Sequence, residues 1–207
     1  MSTETSVWDP LVRLFHWGLV AAFSISYITG EEESIVHIYA GYVVLGLISF
    51  RVIWGFIGTR HARFSDFVRG KQTVIEYLKS LPTRNPKHYL GHNPAGGWMV
   101  IALIVSLFIT TISGLQLYAL EEGLGPLANQ NLPEIQLISS AYADDHGREH
   151  GDDGDEFWED VWEEIHEVAA NFTLLLIFIH ISGVIASSLL HKENLVKAMI
   201  NGRKKTP

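Results

Sequence analysis

The 207-residue sequence contains no cysteine. That excludes disulfides, iron–sulfur clusters, Cys-based zinc sites and the C-x-x-C-H attachment of c-type haem. Charge is missing as well from four long stretches, Leu11 to Thr29, Ile35 to Ile57, Trp98 to Leu120 and Val168 to Leu190. None of them holds an Asp or Glu, and their only Lys or Arg residues are Arg13 and Arg51. Each is roughly 19 to 23 residues long, about what a helix needs to cross a hydrocarbon core of ~30 Å. A soluble core helix is usually shorter and keeps a polar face. The sequence therefore predicts an all-α integral membrane four-helix bundle, a single domain over residues 1–207, with helices near 11–29, 35–57, 98–120 and 166–190. Acidic residues precede Leu11 and no A-x-A site follows a suitable apolar stretch, so the first helix is expected to be retained rather than cleaved.

What charge there is lies at two separate ends. Of the 15 Lys and Arg residues, 12 fall in Thr59 to Pro94 or in the tail from Lys192 onward. The opposite connections are acidic: Glu31, Glu32 and Glu33, then a loop from Glu121 to Ile165 with fourteen carboxylates and only Arg148. Positive charge marks the cytoplasmic side, which predicts cytoplasmic N- and C-termini in a multi-pass membrane protein. Phe67, Val74, Ile75, Leu78 and Leu81 recur at helical spacing in the basic loop, as in an amphipathic helix lying along anionic membrane lipid. The segment EFWEDVWEEIHE is expected to run on into the fourth helix. A nucleic-acid partner is not expected.

Four of the ten histidines sit in or at the apolar blocks: His16, His37, His166 and His180. An imidazole in hydrocarbon is a functional hypothesis by default. The chain direction of each helix puts His16 and His180 towards the cytoplasm and His37 and His166 towards the outer surface. His166 and His180 are fourteen residues apart, ~21 Å along a helix and ~40° short of four full turns, so both project from nearly one face. Only the couples His16/His180 and His37/His166 can then form. Two couples at two depths suit two haems, each iron taking two axial nitrogens from facing helices. Gly18, Gly41 and Gly183, two to four residues from a histidine, would let a macrocycle approach the backbone. Arg13 and Arg51 are candidates for the haem propionates, since guanidinium meets carboxylate in bidentate fashion; the alternative is snorkelling to headgroups. Of the remaining histidines, His61, His88, His92 and His191 lie near the cytoplasmic face, where one could serve a quinone. His146 and His150 stand among aspartates in the 144–166 region, a solvated run, a divalent-metal site or a docking surface for a basic redox protein.

WDPLVRLFHW at 8–17, HIYAGYVVLGLISFRVIWGFIGTRHARFSDF at 37–67, GHNPAGGWM at 91–99 and HISGVIASSLLHKENLVKAMINGRK at 180–204 resemble the bacterial cytochrome b561 family. That family is related to the cytochrome b subunits of nickel–iron hydrogenases and formate dehydrogenases. The resemblance implies a four-helix membrane cytochrome with two haem b groups whose axial histidines fall on His16, His37, His166 and His180. The expected function is electron transfer across the inner membrane between the quinone pool and a periplasmic redox partner, with a c-type cytochrome as first candidate. The alternatives are a metal or proton transporter using the intramembrane histidines, and the membrane-anchor subunit of a hydrogenase-like complex. The acidic, histidine-bearing outer loop is less typical of the family and leaves the partner open.

Overall fold

The computed structural model describes residues 4–30, 34–83, 87–128 and 152–205. Glu31 to Glu33, Arg84, His146, Arg148 and His150 lie outside the described residues. Four helices are long and apolar enough to span a membrane: α1 (Pro10–Ile28), α2 (Ile35–Ile57), α5 (Pro94–Glu121) and α6 (Asp152–His191). Between α2 and α5 lie a one-turn helix α3 (Phe64–Phe67) and α4 (Lys71–Ser80). A short α7 (Leu195–Asn201) follows α6.

Local chemistry sets the helix starts. Asp9 accepts a hydrogen bond from the Val12 amide at 2.9 Å, and Asn93 accepts one from Gly96 at 2.7 Å. In each case a proline occupies the first helical position, where its missing N–H costs nothing. Ser34 caps α2 through the His37 amide. α7 ends at Gly202, whose φ of 79° is left-handed. The caps at Asn93 and Asp9 begin their helices slightly earlier than the apolar runs do. α6 is longer than expected by a wider margin: its carboxylate-rich beginning is helical from Asp152, so the rod of 40 residues projects well past the apolar segment.

α6 packs along α5, α1 along α2, and α2 joins the two pairs through α5. Among the described residues, α6 makes no comparable backbone packing with α1 or α2, so a seam runs between them. Ala22, Val44, Ile48 and Leu107 form the core of the α1–α2–α5 side. α5 and α6 are joined by hydroxyls: Ser106 and Thr173 are 2.6 Å apart, Thr110 and Thr173 3.3 Å, and Thr173 is fully buried. Small polar residues of this kind hold helices together where lipid removes the hydrophobic drive. Leu14, Ile28, Ile57 and Leu189 point outwards, as a lipid-facing surface requires.

The two chain ends meet at the basic end of the bundle. Strand β1 (Glu4–Ser6) pairs antiparallel with β2 (Arg203–Lys205), and the Val7 and Trp8 amides donate to the Gly202 carbonyl at 2.8 and 3.1 Å. Val7, Trp8, Val12, Ala62 and Ala198 make a small core beneath this clasp. α4 is the expected amphipathic helix, yet its buried residue is Tyr77, while Leu78 is half exposed. Phe67 belongs instead to α3, which turns it into the bundle at 1% exposure.

Candidate functional site

At the acidic end, α2 and α6 bring the His37 and His166 rings together across the seam. Their ring centroids are 5.9 Å apart, with planes at 85°. Two metal–imidazole bonds of ~2.0–2.1 Å, plus the distance from each nitrogen to its ring centre, give roughly 6 Å for two rings on opposite sides of one metal. Each imidazole is also oriented. His37 Nδ1 lies 2.8 Å from the Ser26 carbonyl, and His166 Nδ1 lies 2.9 Å from the Thr110 carbonyl. A carbonyl only accepts, so both Nδ1 atoms carry the proton and both Nε2 atoms keep a lone pair. Metal-bound histidines use this arrangement, which fixes the ring and raises its basicity.

The approach of His166 to α5 depends on Gly114. A Cβ added there would fall 2.7 Å from His166 Cε1. By contrast, a Cβ at Gly41 or Gly183 would meet no atom within 4 Å, which suits a flat macrocycle lying close to the backbone; at Gly18 it would touch Leu47 at an ordinary 3.6 Å.

The basic end is built differently. His16 and His180 interact electrostatically across the seam without the ring contact of the other couple, and His16 Nδ1 is buried with no hydrogen-bond partner. Arg13 is committed largely to structure: its Nη1 donates to the Ile200 carbonyl at the end of α7. Arg51 does not snorkel. It is 2% exposed, with its guanidinium carbon 5.3 Å from the Phe64 ring centre and 5.8 Å from that of Phe67. The other histidines at this end fall into two kinds. His61 pairs with Asp66 at 2.9 Å, and His88 pairs with Glu193 at 2.9 Å and meets His191 edge-on. His92 has no such partner. Its ring lies 4.6 Å from both Trp8 and Phe67, and its Nδ1 is buried and unbonded. Burial, helped by the charge of Arg51 and Lys204 and the nearby His180 and His61, pushes its pKa down to about 3.

Gly114 and Ser113 were not singled out as site residues in the sequence; His92 was, but only as one of four histidines that could serve a quinone. Gly114 carries a signal, because an interior helical glycine costs about 1 kcal/mol relative to alanine and so implies a close approach. His92 carries a weaker one, standing immediately before an Asn-Pro helix start. Among the described residues there is no group of three or more His, Cys, Asp or Glu side chains able to hold a metal ion by themselves. The opposed imidazoles of His37 and His166 beside a seam fit haem, whose porphyrin would supply the other four iron ligands.

The family model described as prokaryotic cytochrome b561 matches residues 7–202. Three similar proteins are each named a probable Ni/Fe-hydrogenase B-type cytochrome subunit. That of Azotobacter vinelandii is 30% identical over 152 residues, covering 59% of this chain and 62% of that protein. Those of Bradyrhizobium diazoefficiens and Rhizobium leguminosarum bv. viciae are both 23% identical and cover 96% of this chain, with 85% and 87% of their own lengths matched. No solved structure matches the chain.

Proposed function

The chain belongs to the prokaryotic cytochrome b561 family, and from that premise we propose that it is a di-haem cytochrome passing electrons between the quinone pool and a periplasmic redox protein, a c-type cytochrome first among candidates. Membrane electron transfer by a b-type cytochrome is the family's work, and four apolar helices make the chain a multi-pass protein of the bacterial inner membrane. Haem b supplies one-electron chemistry when bound. His37 with His166, and His16 with His180, are assigned as its axial ligands.

The observation that carries this reading is the His37/His166 couple, two imidazoles at the spacing of a shared metal with both Nδ1 atoms spent on helix carbonyls. The same α6 carries His180 ~21 Å further on, opposite His16. Arg51 is the stronger propionate candidate, because Arg13 already serves the Ile200 carbonyl. The quinone is assigned to the basic end, where His61, His88 and His191 can hold or pass a proton at the membrane face. The partner is assigned to the acidic end. There α6 presents Glu159, Asp160, Glu163 and Glu164 just beyond His166, and carboxylates of one sign steer a basic redox protein.

A reduced-minus-oxidised spectrum of the purified protein should show a b-type signal with two haems per chain, and His16→Ala and His37→Ala should each remove a different one. A colourless preparation from haem-replete cells would overturn the assignment. The names of the relatives favour one second reading, the membrane cytochrome of a hydrogenase-like complex; co-purification of a large redox enzyme with the tagged chain would select it over a soluble c-type partner.

A further inference from the structure

Arg51 brings a full positive charge into the bundle, and among the described residues no carboxylate pairs with it. Asp9 acts on it from a distance, but the Asp9 oxygens are already engaged by the Val12 amide, the Trp54 indole and the Thr59 hydroxyl. Among the described residues, Arg51 Nη1 has no hydrogen-bond partner. A buried cation left this way is strongly unfavourable, and proteins resolve it with an anion. His92 leans on the same Phe67 ring and carries its own buried, unbonded Nδ1. Both groups stand at the level of His180. Arg51 is fourteen residues along α2 from His37, the same interval that separates His166 from His180 on α6, and His92 interacts electrostatically with both Arg51 and His180.

We propose that Arg51 and His92 together form one buried carboxylate-binding site against Phe67, and that its ligand is a propionate of the haem held by His16 and His180. Arg51 supplies the charge and part of a planar fork; His92 donates a second hydrogen bond from Nδ1–H. Trp8 and Phe67 clamp the His92 ring on two sides, so little freedom is lost when the carboxylate is bound. The N-terminal segment acquires a purpose in this arrangement: the clasp of β1 on β2 holds Trp8 over His92. The inference rests on the di-haem reading. A lipid phosphate offers the same acceptor chemistry, and the experiment separates the two sources.

The test uses the full chain carrying His37→Ala, which leaves only the haem of the basic end, and measures haem loss to apomyoglobin together with the midpoint potential. Arg51→Leu and His92→Leu should each speed haem loss about tenfold, the low end of what outer-shell partners contribute, and should lower the potential, since a group that offsets the propionate charge is gone. His92→Asn, whose amide nitrogen can stand near the Nδ1 position, should restore most of both properties, whereas His92→Gln, reaching the Nε2 position, should not. It also keeps the test intact if the leucine variant does not fold. Reconstitution with haem dimethyl ester should abolish the difference between wild type and both leucine variants. The proposal fails if the leucine variants match wild type with native haem, if the difference persists with the ester, or if it tracks phosphatidylglycerol content in the bilayer instead. Absence of any haem from the His37→Ala protein would overturn the di-haem reading, a result distinguishable from these.

Discussion

At the acidic end, His37 and His166 have each settled one nitrogen on a backbone carbonyl and face one another at 5.9 Å. At the basic end, His16 Nδ1, Arg13 Nε, Arg51 Nη1 and His92 Nδ1 are all buried without a hydrogen bond, and among the described residues these are the only such side-chain atoms. Buried polar groups are almost always satisfied, so four orphans gathered at one end need a reason. The contrast separates two ways of making a cofactor position. One end orients its ligands with the bundle's own carbonyls; the other holds donors that a bound carboxylate would complete.

Several substitutions would break or sharpen that contrast. The largest effect belongs to the ligands themselves: His166→Ala should remove the haem of the acidic end and His180→Ala that of the basic end, each halving the pyridine-haemochrome yield. Gly114→Leu should come next, because its Cβ would sit 2.7 Å from an imidazole with no room to turn; haem at the acidic end should fall severalfold while that at the basic end stays, seen as loss of one step in a redox titration. Thr173→Val removes a fully buried hydroxyl that links α5 to α6, and should cost about 0.6–1.7 kcal/mol in detergent unfolding, affecting both ends alike.

Asp9→Ala deletes the cap of α1 and should cost about 1 kcal/mol, loosening the basic end first. Burial alone would raise the Asp9 carboxyl; hydrogen bonds from Thr59, Val12, Trp54 and Leu11 outweigh it and hold its pKa below the usual value. Its contribution is therefore fully present above a pH of ~4 and lost as pH falls through the lowered pKa, so wild type and Asp9→Ala should converge in stability in acid. The smallest change is expected from Ser113→Ala, whose hydroxyl lies 3.3 Å from His166 Nδ1 beside the stronger Thr110 carbonyl; a slight shift in the higher- or lower-potential haem alone, with full occupancy, would match.

The bundle was readable in the sequence because lipid imposes a simple rule, about twenty apolar residues per crossing, and each block obeys it. The meeting of His37 with His166 was readable because chain direction fixes depth in an antiparallel bundle. The extension of α6 was visible in the carboxylate-rich segment EFWEDVWEEIHE, but its length was not. Other features were hidden for a common reason. Ser26 and Thr110 act through their carbonyls, and a backbone atom leaves no mark in residue identity. Arg51 could have snorkelled by its position alone; α3, folding Phe64 and Phe67 back onto α2, decides that it stays inside.

Composition and spacing by themselves determined the four spans, the separation of charge between the two ends, and the placing of imidazoles at two levels, because these follow from hydrophobic length and helical rise. Only the tertiary structure decided which nitrogen of His37 and His166 is free, that α6 leaves a seam along α1 and α2, and that Arg51 and His92 share one aromatic wall. Those facts depend on contacts between residues far apart in the chain, down to a single missing Cβ at position 114, and no local pattern encodes them.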